Sequence, residues 1–209
     1  MVVKLLEIIV SGVLSYSIPK IIERLQKERG NLESLEQAFP WLHWCLAHAI
    51  GGAVGGTISA GLAPAGLQST GGMGNWAVYG ASLGIAQWFV LRKYCQISPL
   101  LAVASTFGWS VFAYFEATKA PGYMGWISVG IAIGVLQWFV LRTKLTRAYW
   151  WVPANAVTWF LAGTIGIVIG TAILQSGVSP MFSWILGWSV VGLTGSIITG
   201  FAMSRMSSK

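Results

Sequence analysis

What the chain lacks narrows its class before any motif is read. It has no aspartate, and five of its six glutamates (Glu7, Glu23, Glu28, Glu33 and Glu36) precede residue 37, leaving Glu116 alone in the rest. That excludes paired carboxylates for acid–base work and a carboxylate cage for magnesium in the long apolar part. The two cysteines, Cys45 and Cys95, and the two histidines, His43 and His48, fall in no CxxC or zinc-ligand spacing and require no disulfide. Neither a GxSxG elbow nor a phosphate-binding glycine loop occurs. Charged residues make up 9% of 209, where a soluble domain carries roughly 25%. A surface so poor in charge cannot be solvated, so the chain reads as an integral membrane protein without enzymatic chemistry.

The charges that are present agree with this. Formal charge is +7, with 13 Lys and Arg gathered in short clusters between apolar runs. Clusters of that kind set membrane topology and give no continuous nucleic-acid surface.

A ten-residue phrase occurs twice, fifty residues apart: Gly84-Ile85-Ala86-Gln87-Trp88-Phe89-Val90-Leu91-Arg92-Lys93 and Gly134-Val135-Leu136-Gln137-Trp138-Phe139-Val140-Leu141-Arg142-Thr143. The match extends upstream, with Trp76, Gly80 and Gly84 aligned on Trp126, Gly130 and Gly134. A weaker third copy at Gly187-Trp188, Gly192, Ser196 and Thr199 follows 62 residues after the second. Self-similarity at such spacing signals an internal repeat. On a helix, Trp76, Gly80, Gly84, Gln87 and Leu91 fall within about 80° of one another, so each copy presents a small-residue face carrying one polar group.

In chain order, residues 2–18 are apolar apart from Lys4, Glu7, Ser11 and Ser15, which share one side of a helix. They read as an amphipathic helix in the interface or docked on the bundle, with a seventh span as the alternative. From Lys20 to Phe39 the chain is charged and helical, forming with residues 2–18 an N-terminal cytoplasmic region over 1–40. Six apolar segments follow at about 41–63, 73–91, 97–116, 122–141, 148–174 and 181–203, each near the roughly 20 residues that a spanning helix needs. Breaks stand at Pro64 with Gly66, at Pro99, at Pro121-Gly122 and at Ser179-Pro180. The basic clusters Lys20 to Arg29, Arg92-Lys93, Arg142-Lys144-Arg147 and Arg205 with Lys209 all fall on one side, leaving Lys119 on the other. By the positive-inside rule both termini are cytoplasmic.

The expected fold is therefore all-α: six transmembrane helices over 41–205 as three tandem hairpins (about 41–93, 97–143 and 148–205), with residues 206–209 as a tail. The odd helices align too, Ala104-Ser105 with Ala154-Asn155 at fifty and with Ala47-His48 at 57. Three like-oriented hairpins imply a pseudo-threefold bundle about the membrane normal. Each hairpin then contributes one polar residue per helix, giving a layer of His48, Ser105, Asn155, Gln87, Gln137 and Thr199. That layer reads either as interhelical glue or as the lining of a permeation path, because a polar group in hydrocarbon must be bonded or face water. Gly51, Gly52, Gly55 and Gly56 form overlapping GxxxG patterns, and with Gly80, Gly84, Gly130, Gly134 and Gly192 they read as helix-packing sites.

His48 is the candidate ligand for a chlorophyll or haem metal, read against a hydrogen-bonded core histidine. Carotenoid or lipid are further candidate ligands, with no site assigned. Of twelve tryptophans, Trp41, Trp44, Trp150 and Trp151 read as an interfacial belt, and Trp88, Trp109, Trp138 and Trp159 lie deeper, as lipid-facing filler or, in the alternative, as rings that stack on a flat hydrophobic ligand. Glu116 and Lys119 bracket the end of the third span as an ion pair.

With the Gln-Trp-Phe-Val-Leu-Arg phrases, Trp150-Trp151-Val152-Pro153-Ala154-Asn155 and the Gly-Trp-x3-Gly helices in view, the chain resembles a group of Trp-rich polytopic membrane proteins common in cyanobacteria. The resemblance covers 41–205, and the third copy departs from it with Thr199-Gly200-Phe201 in place of Gln-Trp-Phe. It implies a plasma or thylakoid membrane and carries no activity. The plan is also similar to that of mitochondrial carriers, whose Pro-x-Asp/Glu-x-x-Lys/Arg signature is absent here. The functional expectation is a non-enzymatic subunit or assembly partner of a larger membrane complex, a photosynthetic or respiratory one being the candidate by association, with the bilayer, other membrane subunits or its own copies as partners and no nucleic acid. The competing expectation is a small transporter or pore.

Overall fold

The computed structural model describes residues 39–62, 73–118 and 122–206. The amphipathic segment at 2–18, the charged segment from Lys20 to Ala38, the break at Pro64 and Gly66, and Lys119 lie outside the described residues. Phe39 onward forms one compact unit, and its described residues are helical, with no β-strand. The helices are α1 Trp41–Leu62, α2 Met73–Cys95, α3 Leu100–Ala117, α4 Gly122–Leu141, α5 Trp151–Gln175 and α6 Pro180–Ser204.

Their ends follow local chemistry. α2 continues past Leu91 to Cys95, because Arg92 and Lys93 in its last turn complement the helix dipole. α3 begins at Leu100, three residues later than expected: Pro99 disfavours a helical Ser98, and Gln96 turns the chain with φ 50°. Arg147, also left-handed at φ 56°, and a 3-10 turn at Ala148–Trp150 delay α5 to Trp151. α5 stops before Gly177, whose φ of 79° suits a residue without Cβ. Ser179 caps α6 by accepting from the Phe182 N–H, with Pro180 in the first turn, where its missing N–H costs nothing.

By length and composition, Gly122–Leu141, Ala148–Gln175 and Ile185–Ser204 can each cross a membrane, and Leu100–Phe115 is a shorter apolar helix. α1 and α2 carry more polar side chains, His43 and His48 in one and Asn75, Gln87, Arg92 and Lys93 in the other. Each helix packs against its neighbours in sequence, and α6 closes on α1, so the six form a ring. The outer surface is apolar: Leu42, Leu46, Ile50, Val54 and Ile58 make an exposed stripe at four-residue spacing on α1. Phe39, Leu91, Cys95, Leu101, Leu141, Leu145 and Met206 share one core cluster, which puts the end of α2, the α4–α5 connection and the end of α6 at one end of the ring.

Glycines set the helix spacing. A Cβ on Gly80 would stand 2.6 Å from the carbonyl oxygen of Ser105, one on Gly130 2.6 Å from that of Asn155, and one on Gly192 would collide with that of His48. Three even-numbered helices thus rest on the next odd-numbered helix at its polar residue. Gly84 lies on Ser105 and Ala102, and Gly134 on Val152. The GxxxG glycines are consumed within the chain: Gly51 and Gly55 face Leu83, Ser82 and Tyr79 of α2, and Gly52 and Gly56 face Trp188 of α6. Because a backbone carbonyl cannot swing aside, Gly130→Val and Gly192→Val should each cost about 1–3 kcal/mol or more. Gly170, with nothing within 4 Å of an added Cβ, should accept alanine without loss. Thermal unfolding in detergent compares the three variants.

Candidate functional site

The ring interior is layered. Gln87 lies one turn from Leu91, in the cluster at the Arg92 end, and one turn from Leu83, in a second cluster with Tyr79, Trp109, Phe112, Trp126, Ile133 and Trp159. Between these apolar clusters the six expected polar residues come together. His48, Ser105, Gln137, Asn155, Gln87 and Thr199 are all at most 2% exposed.

Direct bonds join four of them across four helices. The Gln137 Nε2 amide donates to Gln87 Oε1 at 2.8 Å and to Ser105 Oγ at 2.6 Å. Gln87 Nε2 and His48 Nε2 stand 2.9 Å apart, and His48 Nδ1 lies 2.9 Å from the Trp44 carbonyl oxygen. A carbonyl can only accept, so Nδ1 carries the hydrogen and Nε2 accepts from the Gln87 amide. On the other side, Trp151 Nε1 donates to Gln137 Oε1 at 2.7 Å. The chain of bonds therefore has one direction, from Trp151 through Gln137 and Gln87 to His48 and the α1 backbone. The Gln87–Gln137 bond links α2 to α4, which are not ring neighbours, so it crosses the interior.

Asn155 and Thr199 join through tryptophans. Asn155 Nδ2 donates to the Trp151 carbonyl at 2.9 Å and its Oδ1 accepts from Trp159 Nε1 at 3.2 Å. Thr199 Oγ1 accepts from Trp44 Nε1 at 3.2 Å and donates to the Gly195 carbonyl at 2.7 Å. The rings of Trp44 and Trp151 meet edge to face at 6.2 Å.

This corrects the reading of the tryptophans. Trp44 and Trp151, expected in the interfacial belt, and Trp109 and Trp159, expected to face lipid, are at most 1% exposed. An indole is both an apolar wall and a donor, and a layer rich in carbonyl and amide acceptors needs donors. The signal was present as Trp44-x3-His48 and Trp151-x3-Asn155, where four-residue spacing puts each indole one turn from the polar residue of its helix. Trp150 is exposed as a belt residue would be, and Trp88 and Trp138 are half-buried. The Glu116 side chain and Lys119 lie outside the described residues.

At the other end of the ring, Trp76, Trp126 and Trp188, aligned in the sequence, bring their rings together with centroids 5.7–6.5 Å apart. Trp109 stacks on Trp76 at 5.6 Å and meets Trp159 edge-on at 4.7 Å. The Tyr79 hydroxyl and the Trp109 and Trp126 indole nitrogens have no hydrogen-bond partner among the described residues. Ring contacts, with Leu83, Val129, Ile133 and Val191 packed among them, fill this half.

The arrangement bears on each chemistry the sequence raised. Both nitrogens of His48 are bonded, which leaves no lone pair for a pigment metal. No group of three or more metal-ligating side chains gathers among the described residues. Of the residues proposed to line a path, His48, Gln87, Ser105 and Gln137 bond one another and Asn155 and Thr199 bond tryptophan indoles, and all six are buried. Gln137→Leu should cost about 2 kcal/mol, because Gln87, Ser105 and Trp151 each lose a partner in a buried site. The Gln87→Leu/Gln137→Leu pair should cost less than the sum of the two single changes, and a double-mutant cycle of unfolding free energies in detergent measures this. No protein family, curated protein or solved structure matches the chain, so the reading of this layer rests on its geometry.

Proposed function

We propose that the chain is a six-span integral membrane protein, its three helical hairpins closed about a pseudo-threefold axis along the membrane normal. In this reading it is a subunit or assembly partner of a larger membrane complex and performs no enzymatic chemistry. One observation carries the proposal: the six residues of the polar layer are bonded within the protein, while the outer faces of the helices are apolar. A protein built to be inert inside and apolar outside offers its surface, not a cavity, to partners. Intramolecular use of the GxxxG glycines leaves the exposed aliphatic and aromatic stripes for such contacts.

Orientation follows from charge. Arg92, Lys93, Arg142, Lys144, Arg147 and Arg205 belong to the end of the ring held by the Leu91–Leu141–Met206 cluster, which supports a cytoplasmic placement of that end and of both termini. The resemblance to cyanobacterial proteins makes a plasma or thylakoid membrane the proposed setting. A polar path between the hairpins is the weaker reading, since permeation needs groups that exchange with solute and these are engaged within the protein.

Two measurements test the proposal. A cysteine at Gln175 should react with an impermeant thiol reagent from outside intact cells, and one at Thr143 only after the inner face is opened; outside labelling of position 143 would overturn the topology. Purification in mild detergent should yield a partner at fixed stoichiometry, and a solitary monomer would contradict the assembly role.

A further inference from the structure

The arginines that close the repeated phrase, Arg92 and Arg142, are exposed, and their placement is specific. The guanidinium carbon of Arg92 stands 4.9 Å from the centroid of the Trp88 ring and 4.3 Å from that of Phe89. Arg142 repeats this over Trp138 at 4.9 Å and Phe139 at 4.8 Å, and Arg205 stands 4.9 Å over Phe201. Trp88 is itself pinned, its Nε1 donating to the Ile97 carbonyl at 3.1 Å. A guanidinium laid on an aromatic ring is less hydrated and fixed in orientation, and its in-plane N–H edge suits the two oxygens of a phosphate.

Below each guanidinium runs an exposed apolar ladder. Ile85 and Phe89 are 46% and 47% exposed, Leu136 and Phe139 36% and 49%, and Ile197 and Phe201 60% and 56%. Each site thus pairs a held cation at a helix end with an apolar strip descending the outer surface. The ligand with that form has an acidic head and a hydrocarbon tail. Charge complementarity points the same way: six Lys and Arg occupy this end of the ring, while Glu116, the one acidic residue after Glu36, closes α3 at the opposite end.

Resting on the membrane reading above, we propose that Arg92 with Phe89 and Arg142 with Phe139 form two similar binding sites for the phosphate of an anionic phospholipid in the cytoplasmic leaflet, with Arg205 and Phe201 as a partial third. The acyl chain lies along the ladder and the phosphate accepts from the guanidinium edge. Among the described residues, no aromatic ring holds Lys93 or Lys144, which add charge alone.

Native mass spectrometry of the full chain tests this, in mixed micelles of phosphatidylglycerol and phosphatidylcholine with identical acyl chains at equal concentration. The wild type should retain phosphatidylglycerol several-fold over phosphatidylcholine, with up to two or three molecules bound. R92Q/R142Q should fall to near parity, R92K/R142K should lie between, and the charge-matched K93Q/K144Q should keep most of the preference. Thermal unfolding of each variant verifies that it is folded. Parity in the wild type would overturn the proposal, as would equal losses in K93Q/K144Q and R92Q/R142Q, which would mean diffuse charge attraction only. The membrane reading fails separately: a chain recovered outside membranes without detergent would sink it, whereas a detergent-extracted chain without lipid preference sinks only the lipid sites.

Discussion

A polar side chain removed from water must find its partner inside the protein, and that requirement governs this bundle. Six helices each bring one amide, hydroxyl or imidazole to the same level of the interior, and three tryptophans bring indole donors to meet them. An unbonded buried amide costs about 1–3 kcal/mol, whereas an interhelical bond in a membrane returns only about 0.6 kcal/mol on average. The layer thus acts less by adding stability than by penalising every other register and rotation of the helices. The cross-ring bond between Gln87 and Gln137 extends that constraint to helices that are not neighbours.

The remainder of the packing depends on meeting this condition. Gln137 reaches Gln87 and Ser105 only if the helices stand close, and the backbone contacts at Gly80, Gly130 and Gly192 provide that closeness at the turn of each odd-helix polar residue. On one side the aliphatic cluster of Leu91, Leu101, Leu141 and Met203 seals the layer; on the other the tryptophans and Tyr79 do so with large, stiff rings. Gln137 is bonded on both sides of its amide, so a substitution there reaches α2, α3 and α5 together. An internally bonded polar layer and an apolar exterior support the proposed role as a component held among other membrane proteins.

Much of this was legible in the sequence. Proline and glycine punctuation with apolar length placed the helices to within a few residues, and the fifty-residue offset brought out Gln87, Gln137, Ser105 and Asn155 as one set. The misjudged features were those in which one residue type serves two purposes. Trp44 and Trp151 lie near helix ends, where belts form, and composition could not show that their rings turn inward to donate to Thr199 and Gln137. Helix starts at Leu100 and Trp151 depended on left-handed turns at Gln96 and Arg147, residue types that carry no such preference. Which glycine faces which neighbour was equally hidden, because a GxxxG pattern states closeness without naming the partner helix.

The central claim is that the polar layer is closed and structural. Ser105 is the place to test it, since cysteine is nearly isosteric with serine and this hydroxyl sits at the Gln137 amide, 1% exposed. With Cys45 and Cys95 replaced by alanine, Ser105→Cys should resist a small water-soluble thiosulfonate from both faces of the membrane and react fully only after denaturation. Modification of the cysteine in the native protein would show water reaching the layer and would contradict the account.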